Sequence, residues 1–146
     1  MILYLDTSAL IKKYFKETGS DEIISKWQEA GGIVTSSVAY AEALTSIYRK
    51  NRETKFGNDR LKDILDAFRR DWNSFIRVEV TDDLREWIDK TVSRYPLHGF
   101  DAIHLASALI VHENLPEEFL FACYDKNLLR AAHKTGLKTL PASVTA

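Results

Sequence analysis

The sequence predicts an α/β fold, a three-layer α/β/α sandwich around a central, mainly parallel sheet. Short apolar runs such as Ile2 to Leu5 and Phe119 to Tyr124 have the length of buried strands, and they alternate with longer segments of helical periodicity. Strands that consist of unbroken apolar runs are typical of parallel sheets covered by helices on both faces. The chain has 146 residues, so we expect a single domain over residues 1–146.

Capping and breaking residues divide the chain into these elements. Residues with side-chain oxygens precede amphipathic stretches, and the pair Gly31-Gly32 ends one of them. In the first half we expect a strand at 2–5, helices from Asp6 to Tyr14 and from Ser20 to Gly31, a strand at 33–35, a helix capped by Ser36 and Ser37, and one helix or two over Lys55 to Trp72. In the second half we expect a strand at 76–80, a helix capped by Thr81-Asp82-Asp83, a largely buried helix over Ala102 to Val111, a strand at 119–124, a helix from Asp125 to Lys134 and a strand at 138–140.

Composition narrows the classes of function. Hydrophobic residues make up 45% and charged residues 28%, which argues against a disordered or membrane protein. The formal net charge is −1, so a polyanionic partner would have to meet a local basic patch. Cys123 is the single cysteine, so it cannot form an internal disulfide. The apolar stretch at the start is too short for a signal peptide, and we expect a cytoplasmic protein without a membrane partner.

Two acidic residues directly follow predicted strands. Asp6 comes after the first strand and Asp125 after the strand that begins at Phe119. Ligands of open parallel sheets bind at the carboxyl ends of the strands, so both carboxylates are candidates for a functional site. Aspartate after a strand is also a common helix N-cap, and that alternative stays open for each residue taken alone.

Two further acids lie in helices that begin close to the same predicted edge. Glu42 is flanked by small residues in the helix that follows the second strand, although a solvated helix face remains an alternative. Asp101 stands in the first turn of a helix that is otherwise apolar. A helix N-terminus stabilises a negative charge by about 0.3–1 kcal/mol, which is small beside the several kcal/mol that a buried unpaired carboxylate costs. Asp101 therefore needs a partner.

A cation would resolve the repulsion if these four acids converge. Like charges in one site raise some of the carboxyl pKa values unless a positive ion is bound. Oxygen ligands suit Mg²⁺ or Mn²⁺, and a site with few carboxylates leaves positions for water and phosphate oxygens. This combination is the chemistry of phosphodiester hydrolysis.

Four short segments carry a resemblance to a known family. They are Leu5-Asp6-Thr7-Ser8-Ala9-Leu10, Ala41-Glu42-Ala43-Leu44, Phe100-Asp101-Ala102-Ile103-His104-Leu105-Ala106-Ser107-Ala108-Leu109 and Tyr124-Asp125-Lys126-Asn127-Leu128. In this order and spacing they make the sequence similar to PIN-domain ribonucleases, particularly the VapC-type toxins of prokaryotic toxin–antitoxin pairs.

The resemblance implies a PIN-like fold and an endoribonuclease that depends on Mg²⁺ or Mn²⁺. The implied catalytic and metal-binding acids are Asp6, Glu42, Asp101 and Asp125, with Ser8 helping to orient the site. The implied partners are an RNA substrate, a VapB-like antitoxin protein and a second copy of the chain. The family often has Thr or Ser where this chain has Cys123, which puts one local hydrogen bond in doubt.

Two other functions stay open at this stage. The chain could be a PIN-like module that binds RNA or a protein without cutting, or, less favoured, a phosphoacceptor signalling domain. The acidic pair of phosphoacceptor domains is missing, because Thr7 and Ser8 follow Asp6. Among nearby residues, we expect Lys12, Lys13 and Lys16 to lie beside the phosphate and His104 to be a packing residue.

Overall fold

A five-stranded parallel sheet runs through the centre of the protein, in a computed structural model that describes residues 1–143. The strands are β1 (Ile2–Leu5), β2 (Gly32–Ser36), β3 (Ile76–Val78), β4 (Phe119–Ala122) and β5 (Thr139–Leu140). Their order across the sheet is β3-β2-β1-β4-β5, and each neighbouring pair is parallel. The predicted parallel α/β fold is confirmed.

Helices connect the strands and form the two outer layers. They are α1 (Thr7–Leu10), α2 (Ser20–Glu29), α3 (Ala39–Thr54), α4 (Asn58–Ser74), α5 (Asp82–Arg94), α6 (Gly99–Asn114) and α7 (Lys126–Lys134). Within residues 1–143, no helix is both long enough and apolar enough to span a bilayer.

Alternation along β1 builds a core on each face of the sheet. Leu3 and Leu5 pack into one cluster of buried residues that includes Phe68 of α4, and they are fully buried. Tyr4, also fully buried, belongs to a second cluster that includes Leu105 of α6. Successive residues of a strand point to opposite faces, so these two clusters are the two interfaces of the three-layer sandwich.

Strand register brings the carboxyl ends of the central strands to one edge. In the β1–β4 pair Leu5 lies opposite Ala122, and in the β1–β2 pair Tyr4 lies opposite Val34. The first residues after β1 and β4 therefore emerge side by side. Helix α6 packs against β2, so its beginning lies near the same central strands.

Several boundaries differ from the sequence-based expectation. The first helix is shorter, because α1 ends at Leu10 and a 3₁₀ turn covers Ile11–Lys13. Ser36 and Ser37 do not cap α3: Ser36 belongs to β2, and Val38 precedes the helix without a side-chain hydrogen bond. The strands predicted at 76–80 and 119–124 end at Val78 and Ala122. Apolar residues recur past these ends, at Val80, Cys123 and Tyr124, but the regular strand pairing ends at Val78 and Ala122.

Candidate functional site

Asp6 and Asp125 are both helix N-caps, and both lie at the carboxyl edge of the sheet. The Asp6 Oδ1 accepts a hydrogen bond from the Ala9 amide at 2.9 Å, and the Asp125 Oδ1 accepts one from the Leu128 amide at 2.9 Å. The Asp6 amide also donates to the Ala122 carbonyl at 3.2 Å, which ties the end of β1 to the end of β4. Capping fixes both carboxylates, and the sheet brings them to one place.

Ser8 links the Asp6 carboxylate to the segment after β4. Its hydroxyl lies 2.7 and 2.9 Å from the two Asp6 carboxylate oxygens and accepts a hydrogen bond from the Tyr124 amide at 2.9 Å. Asp6 is only 4% exposed. Burial raises the pKa of Asp6, although His104 and the hydrogen bonds from Ser8 and Ala9 oppose that shift.

Glu42 reaches the same edge from the first turn of α3. Its Oε1 accepts hydrogen bonds from the Thr7 hydroxyl at 2.7 Å and from His104 Nε2 at 2.8 Å. Partial burial raises the pKa of Glu42, but the hydrogen bonds from His104 and Thr7 outweigh burial and hold this pKa below its usual value. The carboxylate is thus kept ionised.

His104 joins Glu42 to the core. It is 2% exposed, and its Nδ1 lies 2.9 Å from the hydroxyl of the fully buried Tyr4. An ionised carboxylate can only accept, so Nε2 carries a proton toward Glu42; in the neutral ring Nδ1 then accepts from Tyr4. His104 is buried as the sequence predicts, but its role as a hydrogen-bonding link was missed. The one available signal was a histidine on the apolar side of α6, three residues after Asp101.

Asp101 completes the set of acids from the first turn of α6. Burial raises the pKa of Asp101, and the negative charges of Asp125 and Asp6 raise it further, against the influence of His104 and His98. The three aspartates therefore share one electrostatic environment. Glu42 is connected to it through Thr7, which directly follows Asp6, and through His104.

The donor set fits a hard divalent cation. Carboxylate oxygens are the ligands that Mg²⁺ and Mn²⁺ prefer, and a cation among these acids would offset the burial and the neighbouring negative charges that raise the pKa of Asp101. Across residues 1–143, no three His, Cys, Asp or Glu side chains form a ready-made metal cluster. The groups that could hold an ion are Asp6, Glu42, Asp101 and Asp125.

Cys123 replaces the expected hydroxyl residue beside Asp125 and keeps a local hydrogen bond. Its Sγ accepts from the Asp125 amide at 3.3 Å, and the side chain is fully buried. Burial and the nearby Asp6 raise the pKa of the Cys123 thiol, so it stays neutral at physiological pH. Sulfur is a weaker acceptor than oxygen, and Asp125 is held correspondingly less firmly on this side.

Two cavities meet at Glu42. The Lys12 cavity, of about 390 Å³, is lined by Thr7, Ser8, Lys12, Glu42, Arg49 and Lys50 among others. The Phe100 cavity, of about 440 Å³, is lined by Val38, Ala41, Glu42, Thr45, Arg49 and Phe100.

The three lysines predicted to lie beside the phosphate have different positions. Lys12 lines the Lys12 cavity and pairs with Glu17 at 3.1 Å. Lys13 instead pairs with Asp71 of α4 at 2.7 Å and is directed away from the acids. Lys16 is exposed. Of the three, Lys12 alone lines either cavity.

An α/β domain with acids gathered at the carboxyl edge of a parallel sheet belongs to a broad class that binds ligands at this edge. Comparison with known proteins identifies the member of that class. The sequence profile of the PIN domain matches residues 3–134, and the chain belongs to the PIN domain family.

Individual relatives agree with this assignment. The chain is 29% identical over 147 residues to Ribonuclease VapC49 from Mycobacterium tuberculosis, covering 98% of this chain and 97% of the relative. A toxin–antitoxin complex from Klebsiella pneumoniae superposes with a TM-score of 0.63 at 16% identity, covering 98% of this chain and 96% of the other. VapC20 from M. tuberculosis, described as a sarcin-ricin loop cleaving toxin, superposes with a TM-score of 0.61 at 18% identity, covering 88% and 94% of the two chains. At these identities the two structures support the fold alone.

We predict that Tyr4→Phe lowers the free energy of unfolding by about 1–3 kcal/mol, because it leaves the buried Nδ1 of His104 without its partner. Urea denaturation followed by circular dichroism measures the change. Tyr48→Phe is the matched control, since Tyr48 is 41% exposed and its loss should change the free energy by less than about 0.5 kcal/mol. Equal stability of the Tyr4 variant and the wild type would contradict the link between Tyr4 and His104.

We predict that Asp101→Asn stabilises the metal-free protein at neutral pH. The folded-state pKa of Asp101 lies above its usual value of 3.8, so the wild type loses stability as the pH rises from that value through the raised one. Asparagine carries no charge and avoids this loss. In EDTA, the advantage of the variant in urea denaturation should be present at about pH 7 and shrink toward about pH 4.

Asp89→Asn is the control for this comparison, because Asp89 is exposed on α5. It should show no such pH-dependent gain. An Asp101→Asn protein that is less stable than the wild type at neutral pH would mean that Asp101 forms a structural contact rather than contributing to repulsion.

Proposed function

We propose that this chain is an endoribonuclease that hydrolyses RNA phosphodiester bonds with Mg²⁺ or Mn²⁺, as the toxin of a type II toxin–antitoxin pair. The observation that carries the proposal is the placement of Asp6 and Asp125 at the carboxyl ends of the neighbouring strands β1 and β4, linked through Ser8 and the Tyr124 amide. Burial and then the charges of Asp125 and Asp6 raise the pKa of Asp101, which agrees with its position near them. Membership of the PIN domain family and a relative named Ribonuclease VapC49 support the activity. VapC20, described as a sarcin-ricin loop cleaving toxin, supports RNA as the substrate class.

We assign the metal-binding role to Asp6, Glu42, Asp101 and Asp125. A bound divalent ion would supply positive charge that polarises the phosphate and activates the attacking water. The Ser8 hydroxyl and the Ala9 amide both donate to the Asp6 carboxylate and hold it in place. Thr7 and His104 keep the Glu42 carboxylate ionised and oriented. The chain thus contributes positioned negative charge.

The substrate would approach through the Lys12 cavity, which borders Glu42. Lys12 and Lys50 both pair with Glu17, at 3.1 and 3.2 Å, so the carboxylate of Glu17 holds two ammonium groups beside the site. This local positive charge would meet RNA phosphates in a chain whose net charge is −1. Such contacts give affinity without sequence choice.

The proposed partners follow the same relatives. The Klebsiella structure is a toxin–antitoxin complex, and we propose an antitoxin protein of the VapB type for this chain. We further propose that residues 1–146 form a single functional domain and that the protein is a homodimer. We propose that it encounters its RNA substrate in the cytoplasm.

We predict that the purified protein cleaves single-stranded RNA with Mg²⁺ or Mn²⁺ and not with EDTA. Asp101→Asn should lower the cleavage rate at saturating RNA by about 100-fold or more, because one of the few groups that can hold the ion loses its charge. Gel electrophoresis of end-labelled RNA measures the rate. Asp89→Asn, an exposed aspartate outside the site, should cleave at the wild-type rate.

Cleavage in EDTA, or full activity of Asp101→Asn, would contradict the metal-dependent mechanism. Binding of RNA without cleavage under all metal conditions would instead favour the non-cleaving module. Purification of the wild type and Asp101→Asn in parallel controls for a contaminating nuclease, because a contaminant would cleave equally in both preparations.

We predict a homodimer in solution, with twice the 16.7 kDa mass of the chain. Exposed apolar side chains are available for association on β3 and α5, including Ile76 and Val92, which are 49% and 51% exposed. Light scattering at several protein concentrations measures the mass. A constant mass of one chain would contradict this proposal.

A further inference from the structure

We propose that the Phe100 cavity binds one unpaired nucleobase of the RNA substrate, with the Phe100 ring as the stacking surface and Arg49 as the contact for the adjoining phosphate. The inference rests on the proposed function, because the occupant is the same RNA strand whose backbone meets the acids.

Phe100 is exposed where a large aromatic side chain has no structural reason to be. It is 57% exposed, and it immediately precedes Asp101 in the first turn of α6. The same turn therefore presents a carboxylate to the site and an aromatic ring to solvent. Aromatic side chains are the surfaces on which proteins stack single-stranded bases.

The opposite wall of the cavity comes from the beginning of α3. Val38, Ala41 and Thr45 are small or medium in size, and Ala41 and Thr45 are exposed. They leave open space facing the ring instead of filling it. The cavity volume of about 440 Å³ lies in the range of about 300–1,000 Å³ that small organic ligands occupy.

The Phe100 cavity adjoins the proposed cleavage site, and this position favours a base of the RNA substrate as its occupant. Glu42 and Arg49 line both the Phe100 cavity and the Lys12 cavity. Of the four acids Glu42 lines the Phe100 cavity, so a base next to a phosphate that lies near Glu42 can enter this cavity. A single-stranded base has an exposed π face, whereas a base within a duplex is already stacked.

Arg49 supplies the charge that the strand needs at this point. No carboxylate of residues 1–143 lies within ion-pairing distance of Arg49, whereas the neighbouring Lys12 and Lys50 both pair with Glu17. The guanidinium is exposed on α3, one turn after Thr45 and two turns after Glu42. It is therefore free to bind a phosphate next to the stacked base.

Stacking on Phe100 should contribute to RNA affinity for many different base sequences. Every base has a π face, so the cavity favours single-stranded RNA over duplex without selecting one base. Sequence preference would have to come from other contacts.

The test compares Phe100→Leu, which keeps an apolar side chain but removes the ring, with Phe100→Tyr, which keeps the ring. The probe is a short fluorescein-labelled single-stranded oligoribonucleotide, and its dissociation constant is measured by anisotropy in EDTA, where cleavage is blocked. We expect Phe100→Leu to weaken binding about tenfold and Phe100→Tyr to bind like the wild type. With Mg²⁺, Phe100→Leu should raise KM and leave kcat largely unchanged.

Arg49→Gln is the second variant, because it tests the same path without altering the ring. It should weaken binding of the strand. The slope of log K against log salt concentration should become shallower by about one, because one phosphate contact is lost. The same oligonucleotide annealed to its complement is the control ligand. Its affinity should be equal for the wild type and Phe100→Leu. Thermal melting of each variant checks folding, and a Phe100→Leu protein that does not fold leaves the decision to Arg49→Gln.

The outcomes separate this inference from the proposed function. A wild type that cleaves RNA while Phe100→Leu binds and cleaves equally well overturns the nucleobase subsite and leaves the nuclease intact. A Phe100→Leu variant that loses self-association or antitoxin binding, with unchanged RNA affinity, makes the cavity a protein contact and also overturns the subsite. A wild type that cleaves nothing with Mg²⁺ or Mn²⁺ overturns the nuclease, and the anisotropy measurements then decide the subsite alone.

Discussion

The burial of carboxylates at one edge of the sheet is the constraint on which the rest of the site depends. The parallel order of β1 and β4 brings the ends of both strands together; Asp6 directly follows β1, and Asp125 lies three residues after β4. Asp101 adds a third carboxylate from the start of α6, where burial and then the charges of Asp125 and Asp6 raise its pKa. A site that stores unfavourable electrostatic energy without a ligand is suited to a cation.

Different hydrogen bonds fix the positions of the different carboxylates. Asp6 and Asp125 each accept from a helix amide, so the N-cap and the proposed metal ligand are the same carboxylate. The two interpretations that the sequence left open for these residues are compatible, because a carboxylate that accepts a capping hydrogen bond keeps further lone pairs that can bind a cation. Glu42 has no cap to fix it and is held through Thr7 and His104 instead.

The link through His104 couples the proposed site to the core. Tyr4 lies on β1, two residues before Asp6, and its hydroxyl reaches His104 on α6. His104 in turn reaches Glu42 on α3, so three elements of the fold meet in one chain of hydrogen bonds. Buried polar groups of this kind are costly when a partner is lost, and they fix the relative positions of the elements that carry them.

The sequence by itself determined the order of strands and helices, the parallel α/β class and the four candidate acids, because apolar runs, capping residues and isolated charges are local signals. The strand ends predicted from the sequence were wrong at Val78 and Ala122, because apolar residues recur beyond the last paired residue of each strand. Only the tertiary structure decided that His104 contacts Glu42, that Lys13 turns to Asp71, and that Phe100 shares a cavity with Arg49. Those contacts join residues up to 62 positions apart. Their geometry depends on how α3, α4 and α6 pack against the sheet. No short segment of sequence encodes this packing, because sequence patterns are local signals.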